Sequence, residues 1–234
     1  MSVLITGIGS GIGKATALHF LNMGYTVIGV LRNQAHHDSL MRDVGEYKKN
    51  LSIIYSDLES PEFSDKVLDG IRKLKVSKLS CVINVAGVLD TSGYEAYDFS
   101  KISKVMTVNF ISPALLISKL TPFLMASEKS NVVNITSMSG FQGSVRFPGL
   151  GIYGASKAAL GSLSESLSVE FENTGIHVNA LAIGSVNTAM LRNAFPDYAA
   201  AISAEEMGSY IFNFATLGYK FHNGKVLSVA ITNP

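Results

Sequence analysis

Seven short apolar runs punctuate the chain, at residues 3–5, 25–30, 51–55, 80–84, 132–135, 177–183 and 225–229. Runs such as Val3-Leu4-Ile5 and Ala180-Leu181-Ala182-Ile183 are continuous rather than alternating. A strand that is apolar on both faces is covered on both faces, which predicts a parallel sheet between helical layers. The intervening stretches, at about 12–20, 62–73, 99–126, 153–173 and 204–216, repeat apolar residues at helical spacing. Strand and helix in alternation predict an α/β, three-layer, doubly wound fold around a mostly parallel seven-stranded sheet. No repeat, low-complexity tract or linker interrupts the pattern, so one domain over residues 1–234 is expected.

The first strand runs directly into Thr6-Gly7-Ile8-Gly9-Ser10-Gly11-Ile12-Gly13, and helical periodicity begins there. Glycines allow a tight turn and close approach of a pyrophosphate, to which the following helix N-terminus offers unpaired N–H groups and partial positive charge. A second pattern is Tyr153-Gly-Ala-Ser-Lys157, which places a phenol and an ammonium one helical turn apart. A phenol of pKa ~10 exchanges protons poorly near neutrality, and a nearby positive charge is expected to lower it into the working range. The fifth run ends in Thr136-Ser137-Met138-Ser139-Gly140, small polar residues where a strand opens into a cleft and a hydroxyl would reach a substrate oxygen.

Together, T-G-x-x-x-G-I-G from Thr6 to Gly13, Asn84-Val85-Ala86-Gly87, Asn109, Ser137 and Tyr153-x-x-x-Lys157 resemble the short-chain dehydrogenase/reductase family. The motifs occur in the family's order, and the resemblance runs from residue 3 to about 229. It implies a Rossmann domain, a nicotinamide cofactor and reversible hydride transfer to or from a small alcohol or carbonyl compound. It makes Tyr153 the acid/base and Lys157 the residue that lowers its pKa and holds the nicotinamide ribose. Ser137 would orient the substrate oxygen, and Asn109 would anchor a proton-relay water. The cofactor residues implied are Thr6, Gly7, Gly9, Ser10, Gly11, Ile12 and Gly13 in the turn, with Arg32, Asp57 and Leu58 on the adenosine side. Asn84, Ala86 and Gly87 follow the fourth strand, Tyr153 and Lys157 recur, and Gly184, Val186 and Thr188 follow the sixth.

Two departures stand out. The gap from Ser137 to Tyr153 is a few residues longer than is usual in the family, with Val145-Arg146-Phe147-Pro148 as the insertion, which makes Ser139 a competing catalytic hydroxyl. The family's Pro-Gly after the sixth strand is Ile183-Gly184 here, which frees a φ angle and restores a backbone N–H. Thr188 remains available to bond a carboxamide.

Cofactor choice turns on the end of the second strand. An acidic residue ~20 positions after the glycine turn receives ribose hydroxyls in NAD-binding domains, whereas arginine accommodates a 2′-phosphate. Here Leu31-Arg32-Asn33 follows the strand and no acid appears before Asp38, so NADP(H) is favoured, with NAD(H) possible. Asp57 resembles the family's adenine contact; the alternative is a cap for the helix beginning near Pro61.

A net charge of +1 with dispersed Lys and Arg argues against nucleic acid. Residues 111–125 are apolar but broken by Pro113, Lys119 and Pro122, and on their own too short to span a membrane. No leader is read before the first strand, and the sole cysteine, Cys81, falls in an expected central strand, so a cytoplasmic protein is expected. The pair His36-His37 sits in the most polar segment, and no metal site is indicated. Residues 188–204, with Met190, Leu191, Phe195 and Tyr198, should form a mobile lid near Met138, Phe141 and Phe147, suggesting a partly apolar substrate. Small residues at Ala158, Ala159, Gly161, Ser162 and Ser166 would allow a four-helix contact, as in the family, giving a homodimer or homotetramer. A non-catalytic NADP-sensing regulator and an epimerase or dehydratase are the alternatives. The first predicts a damaged catalytic set, the second a longer chain.

Overall fold

A computed structural model describes residues 1–231. In order, the elements begin β1 (Ser2–Thr6), α1 (Gly11–Asn22), β2 (Thr26–Leu31), α2 (His37–Val44), β3 (Leu51–Tyr55), α3 (Phe63–Lys73) and β4 (Cys81–Asn84). Then come α4 (Phe99–Met106), a π-helical turn (Thr107–Ile111), α5 (Ser112–Met125), β5 (Ser130–Ser137) and α6 (Gly151–Glu170). The chain continues through β6 (Ile176–Ile183), β7 (Val186–Asn187), α7 (Ala189–Ala194), β8 (Ile202–Ser203), α8 (Ala204–Leu217) and β9 (Val226–Val229).

The main sheet has seven strands in the order β3-β2-β1-β4-β5-β6-β9, and every neighbouring pair is parallel. This is the expected doubly wound Rossmann architecture. Its core follows from strand alternation. Val3 and Ile5 face a cluster with Phe20 and Leu21 of α1 and Ile211 and Phe214 of α8. Leu4, between them, faces Phe63, Val67 and Ile71 of α3 and Leu116, Leu120 and Leu124 of α5. Each such fully buried side chain contributes ~1.5–3 kcal/mol. The order reverses beside β1: β2 and β3 lie to one side, β4 and its successors to the other. The loops leaving the ends of β1 and β4 diverge there, which opens a crevice at the carboxyl edge.

The helix expected over 99–126 is present but interrupted, because the π turn between α4 and α5 adds a residue to the helical repeat. Hydrophobic periodicity does not register such a turn, since its flanks stay apolar. Joined through it, Phe99–Met125 is long and apolar enough to cross a membrane by length and composition, although residues 111–125 alone are not. Its buried stripe of Leu116, Ile117, Leu120 and Leu124 accounts for the apolar content, since that face packs against the sheet and α3. Residues 188–204 contain α7, and their borders are stitched by a short parallel pair, Val186 with Ile202 and Asn187 with Ser203. Ser203 then starts α8 with a capping box, its hydroxyl accepting the Glu206 N–H while the Glu206 carboxylate takes the Ser203 N–H.

Candidate active site

The crevice is a cleft of about 520 Å³ running along the carboxyl ends of the central strands. At one end lies the glycine turn. Gly7 has φ +76° and gives its N–H to the Val30 carbonyl at 3.0 Å; a Cβ there would come within 2.9 Å of Ala86 Cα. At Gly13 a Cβ would stand 2.2 Å from the Gly7 carbonyl oxygen, so α1 can fold onto the turn only without a side chain. Gly7, Gly9, Ser10, Gly11, Ile12 and Gly13 all line the cleft. Ser10, the residue before α1, is extended and makes no side-chain cap, so the first N–H groups of α1 are not capped by it.

Thr6, implied as a cofactor residue, lies behind this wall. Its hydroxyl accepts the N–H groups of Val85 and Ala86, each at 3.1 Å, and ties β1 to the loop after β4. Asn84 is likewise buried: its Nδ2 donates to Asn134 Oδ1 at 2.8 Å, and Asn134 donates onward to Ser164 at 2.9 Å. Neither lines the cleft: both support its wall from behind, and Asn84 Oδ1 is left without a partner.

Asn109 sits in the π turn with no exposed surface. Its Oδ1 accepts the Val88 N–H at 2.9 Å, and its Nδ2 donates to the Val88 carbonyl at 2.9 Å and Ser156 Oγ at 3.1 Å. The amide side chain thus holds the loop after β4 against α6. Gly87 lies between: a Cβ there would be 3.0 Å from Asn109 Oδ1 and 3.3 Å from Lys157 Nζ.

At the other end, α6 presents Tyr153 and Lys157. Lys157 is 4% exposed; its Nζ donates to the Ile135 carbonyl at 2.9 Å and lies 6.0 Å from the Tyr153 ring centroid. Burial pulls the Lys157 ammonium down to about 8. Burial also pushes the Tyr153 phenol above its ordinary range, partly offset by the Ser137 hydroxyl that faces it. The expected lowering of the tyrosine by lysine is therefore not the order found, since desolvation penalises both charged forms. Ser137 ends β5, and its Oγ accepts the Ser139 N–H at 3.1 Å. Ser139 also lines the cleft, but it is Ser137 that faces the phenol.

Arg32, Asp57 and Leu58 line the cleft as well. Asp57 accepts the Glu59 N–H at 3.0 Å, and α3 begins only at Phe63, so it does not cap that helix. His36 was not foreseen: its Cβ and ring Cδ2 lie 3.1 and 3.3 Å from where a Cβ on Gly9 would stand. Ala86, Gly87, Gly184, Val186 and Thr188 line the middle. The Gly184 N–H donates to the Val229 carbonyl at 2.9 Å, while Thr188 caps α7, accepting the Leu191 N–H at 3.3 Å. Arg146, from the insertion, was also unread. Its Nη1 donates to the carbonyls of Ser139 at 2.6 Å and Met138 at 3.4 Å.

A family model described as short chain dehydrogenase matches residues 1–199. The 2-dehydro-3-deoxy-D-gluconate 5-dehydrogenase of Pseudoalteromonas atlantica is 31% identical over 189 residues, covering 79% of this chain and 72% of that protein. The short-chain dehydrogenase/reductase olcF of Penicillium canescens is 27% identical over 198 residues, covering 83% of this chain and 72% of its own length. Among solved structures, ElxO with NADP bound matches with a TM-score of 0.87 at 26% identity, over 98% of this chain and 96% of that one.

Proposed function

The chain belongs to the short-chain dehydrogenase/reductase family, and on that premise we propose that it is an NADP(H)-dependent oxidoreductase interconverting an alcohol and a ketone or aldehyde, with Tyr153 as acid and base. The observation that carries this reading is the meeting of Tyr153, Ser137 and Lys157 at one end of a crevice whose other end is a glycine turn at a helix N-terminus. A nicotinamide dinucleotide bound there would supply or take up the hydride. The turn 7–13 and the N–H groups of α1 would hold its pyrophosphate. Arg32 would pair with a 2′-phosphate; the absence of an acid between β2 and Asp38, and the NADP in ElxO, support that preference. Thr188, Val186 and Gly184 would border the nicotinamide.

The chain's own residues then supply the proton chemistry. A phenol whose pKa is raised by burial stays protonated at neutral pH, so Tyr153 is ready to give its proton to a carbonyl oxygen. Ser137 donates to the same oxygen and fixes its position. Lys157, held by the Ile135 carbonyl, has its charge poised near neutrality and returns a proton to the phenolate. Phe147, Leu150 and Met190 wall the reacting end with apolar surface that excludes water. The complete Tyr153–Ser137–Lys157 set favours an enzyme over a cofactor-sensing regulator. Incubation of the purified protein with NADPH and a panel of ketones and aldehydes should show cofactor oxidation. Cofactor binding without turnover of any panel member would restore the regulator.

We read the protein as a homodimer or a twofold-symmetric tetramer. Gly161 turns inward, a Cβ there lying 3.5 Å from Val226, so it serves the protein's own sheet. Ala158, Ser162 and Ser166 face outward with Val169, and Ile111 and Leu115 of the neighbouring run are also exposed. Light scattering should give at least twice the 25.0 kDa chain mass, and Ala159→Arg should halve it. A monomeric wild-type mass would reject the contact.

A further inference from the structure

Beside the carbonyl end of the cleft, just outside its lining, Arg146 stands without an opposite charge, as Lys157 does within it. Arg146, in the loop between β5 and α6, is exposed and forms no ion pair among the described residues. Its two hydrogen bonds go to neutral carbonyls, those of Ser139 and Met138, through the same nitrogen. That leaves most of its five N–H donors and its whole positive charge uncommitted. A guanidinium offers a rigid planar fork that matches the two oxygens of a carboxylate.

Its position relates this cation to the reaction. Arg146 lines a second cavity, of about 280 Å³, which shares Ser139, Phe147 and Leu150 with the main cleft. Ser139, whose carbonyl Arg146 holds, gives its own N–H to Ser137 Oγ. The guanidinium is therefore one tight turn away from the hydroxyl that faces Tyr153. The rest of this end is apolar, with Leu89, Phe147, Leu150, Met190, Leu191 and Phe195 on the wall. The acids that line the main cleft, Asp57 and Glu59, come from the loop after β3.

We propose that Arg146 determines substrate class by pairing with a carboxylate, so that the enzyme works on small oxo acids or hydroxy acids with an apolar body rather than on neutral carbonyl compounds. The proposal rests on the reading of Tyr153 and Ser137 as the carbonyl site. In the reducing direction NADPH is oxidised to NADP⁺ as its hydride bonds to the carbonyl carbon; the C=O π pair becomes the new O–H bond with the Tyr153 proton, Lys157 returns a proton to the phenolate, and solvent recharges Lys157. The carboxylate takes no part in bond making and stays ionised against Arg146.

The test is calorimetric titration of NADP⁺-saturated protein with pyruvate, acetoacetate and levulinate, each against its methyl ester. Oxidised cofactor and oxo compound cannot react, so binding is read alone. At least one acid should bind about tenfold or more tightly than its ester, and Arg146→Gln should remove that preference while leaving ester affinity unchanged, with Arg146→Lys retaining part of it. Equal binding of acid and ester in every pair, or failure of all the acids to bind, overturns the assignment. So does an equal loss of acid and ester in Arg146→Gln, which marks a mere brace for the 138–139 turn. NADPH oxidation by any of the acids or esters, followed in parallel, tests the carbonyl chemistry separately. Its absence with acid preference intact condemns the carbonyl reading, and its presence without acid preference condemns the anion site alone.

Discussion

At Gly7 and Gly13 of the glycine turn the cleft wall is packed against main chain, and around Ser137 it is side chain. Around the turn 7–13, an added methyl at Gly7 or Gly13 would run into backbone atoms at 2.9 Å and 2.2 Å. Around Ser137, by contrast, the contacts are Phe147, Leu150, Met190 and Leu191, carried on loops and the short α7. A backbone wall tolerates one residue type at each position and so leaves a motif; a side-chain wall tolerates many and leaves none.

Tyr153→Phe strikes the one point the two ends share. It removes the proton without altering the turn, so turnover should fall by ~10²–10⁴, the usual scale for losing a positioned acid/base, while NADPH affinity measured by fluorescence titration stays near wild type. A retained kcat would remove Tyr153 from the mechanism.

Lys157 tests the linkage between burial and the site. Its folded value, about 8, lies below the ordinary lysine value of 10.5, so the unfolded chain binds more protons between those limits. Its charge therefore opposes folding fully below pH 8, and this cost, ~3 kcal/mol, is relieved as pH rises from 8 to 10.5. Chemical denaturation of wild type and Lys157→Met should show the mutant's relative stability falling across that window. A pH-independent difference would mean that the ammonium is not desolvated as described.

Gly13→Ala and Gly9→Ala divide the main-chain end itself. The first meets the Gly7 carbonyl and should cost ~1–3 kcal/mol or more in thermal unfolding; the second meets only Leu31 and His36 side chains, which can turn aside, and should cost less. Equal losses would undo the distinction between the two kinds of wall. Arg32→Ala should weaken NADPH binding by ~1–3 kcal/mol and spare NADH, measured as separate dissociation constants. A loss shared by both nucleotides would take Arg32 away from the 2′-phosphate.

The same contrast explains what could be read from the sequence. Strand positions were legible to within a residue or two, since continuous apolar runs have no other stable place than a covered sheet. Tyr153, Lys157 and the glycines were legible for the same reason: their spacing is set by one helical turn and one backbone turn. The burial of Thr6 and Asn84 was not, because motif membership does not say on which side of the wall a polar side chain falls. The π turn around Asn109 was invisible to a period-counting argument, and so was the amide's full engagement with Val88 and Ser156. The competition between Lys157 charge and desolvation depends on depth, which no one-dimensional pattern carries. Arg146 stood in plain view as an insertion, yet only the carbonyls it touches and the cavity it faces give it chemical meaning.

The stitch between β7 and β8 brings Val186 beside Ile202 and leaves the residues between as a closed excursion from the scaffold. Because its two feet stand together on rigid ground, the excursion behaves as an exchangeable cassette. Lengthening a loop whose ends already meet costs only ~0.6 kcal/mol per doubling. A lineage carrying this stitch can rewrite the roof over its reacting carbon, or splice in another, while the hydride donor's seat stays where it was.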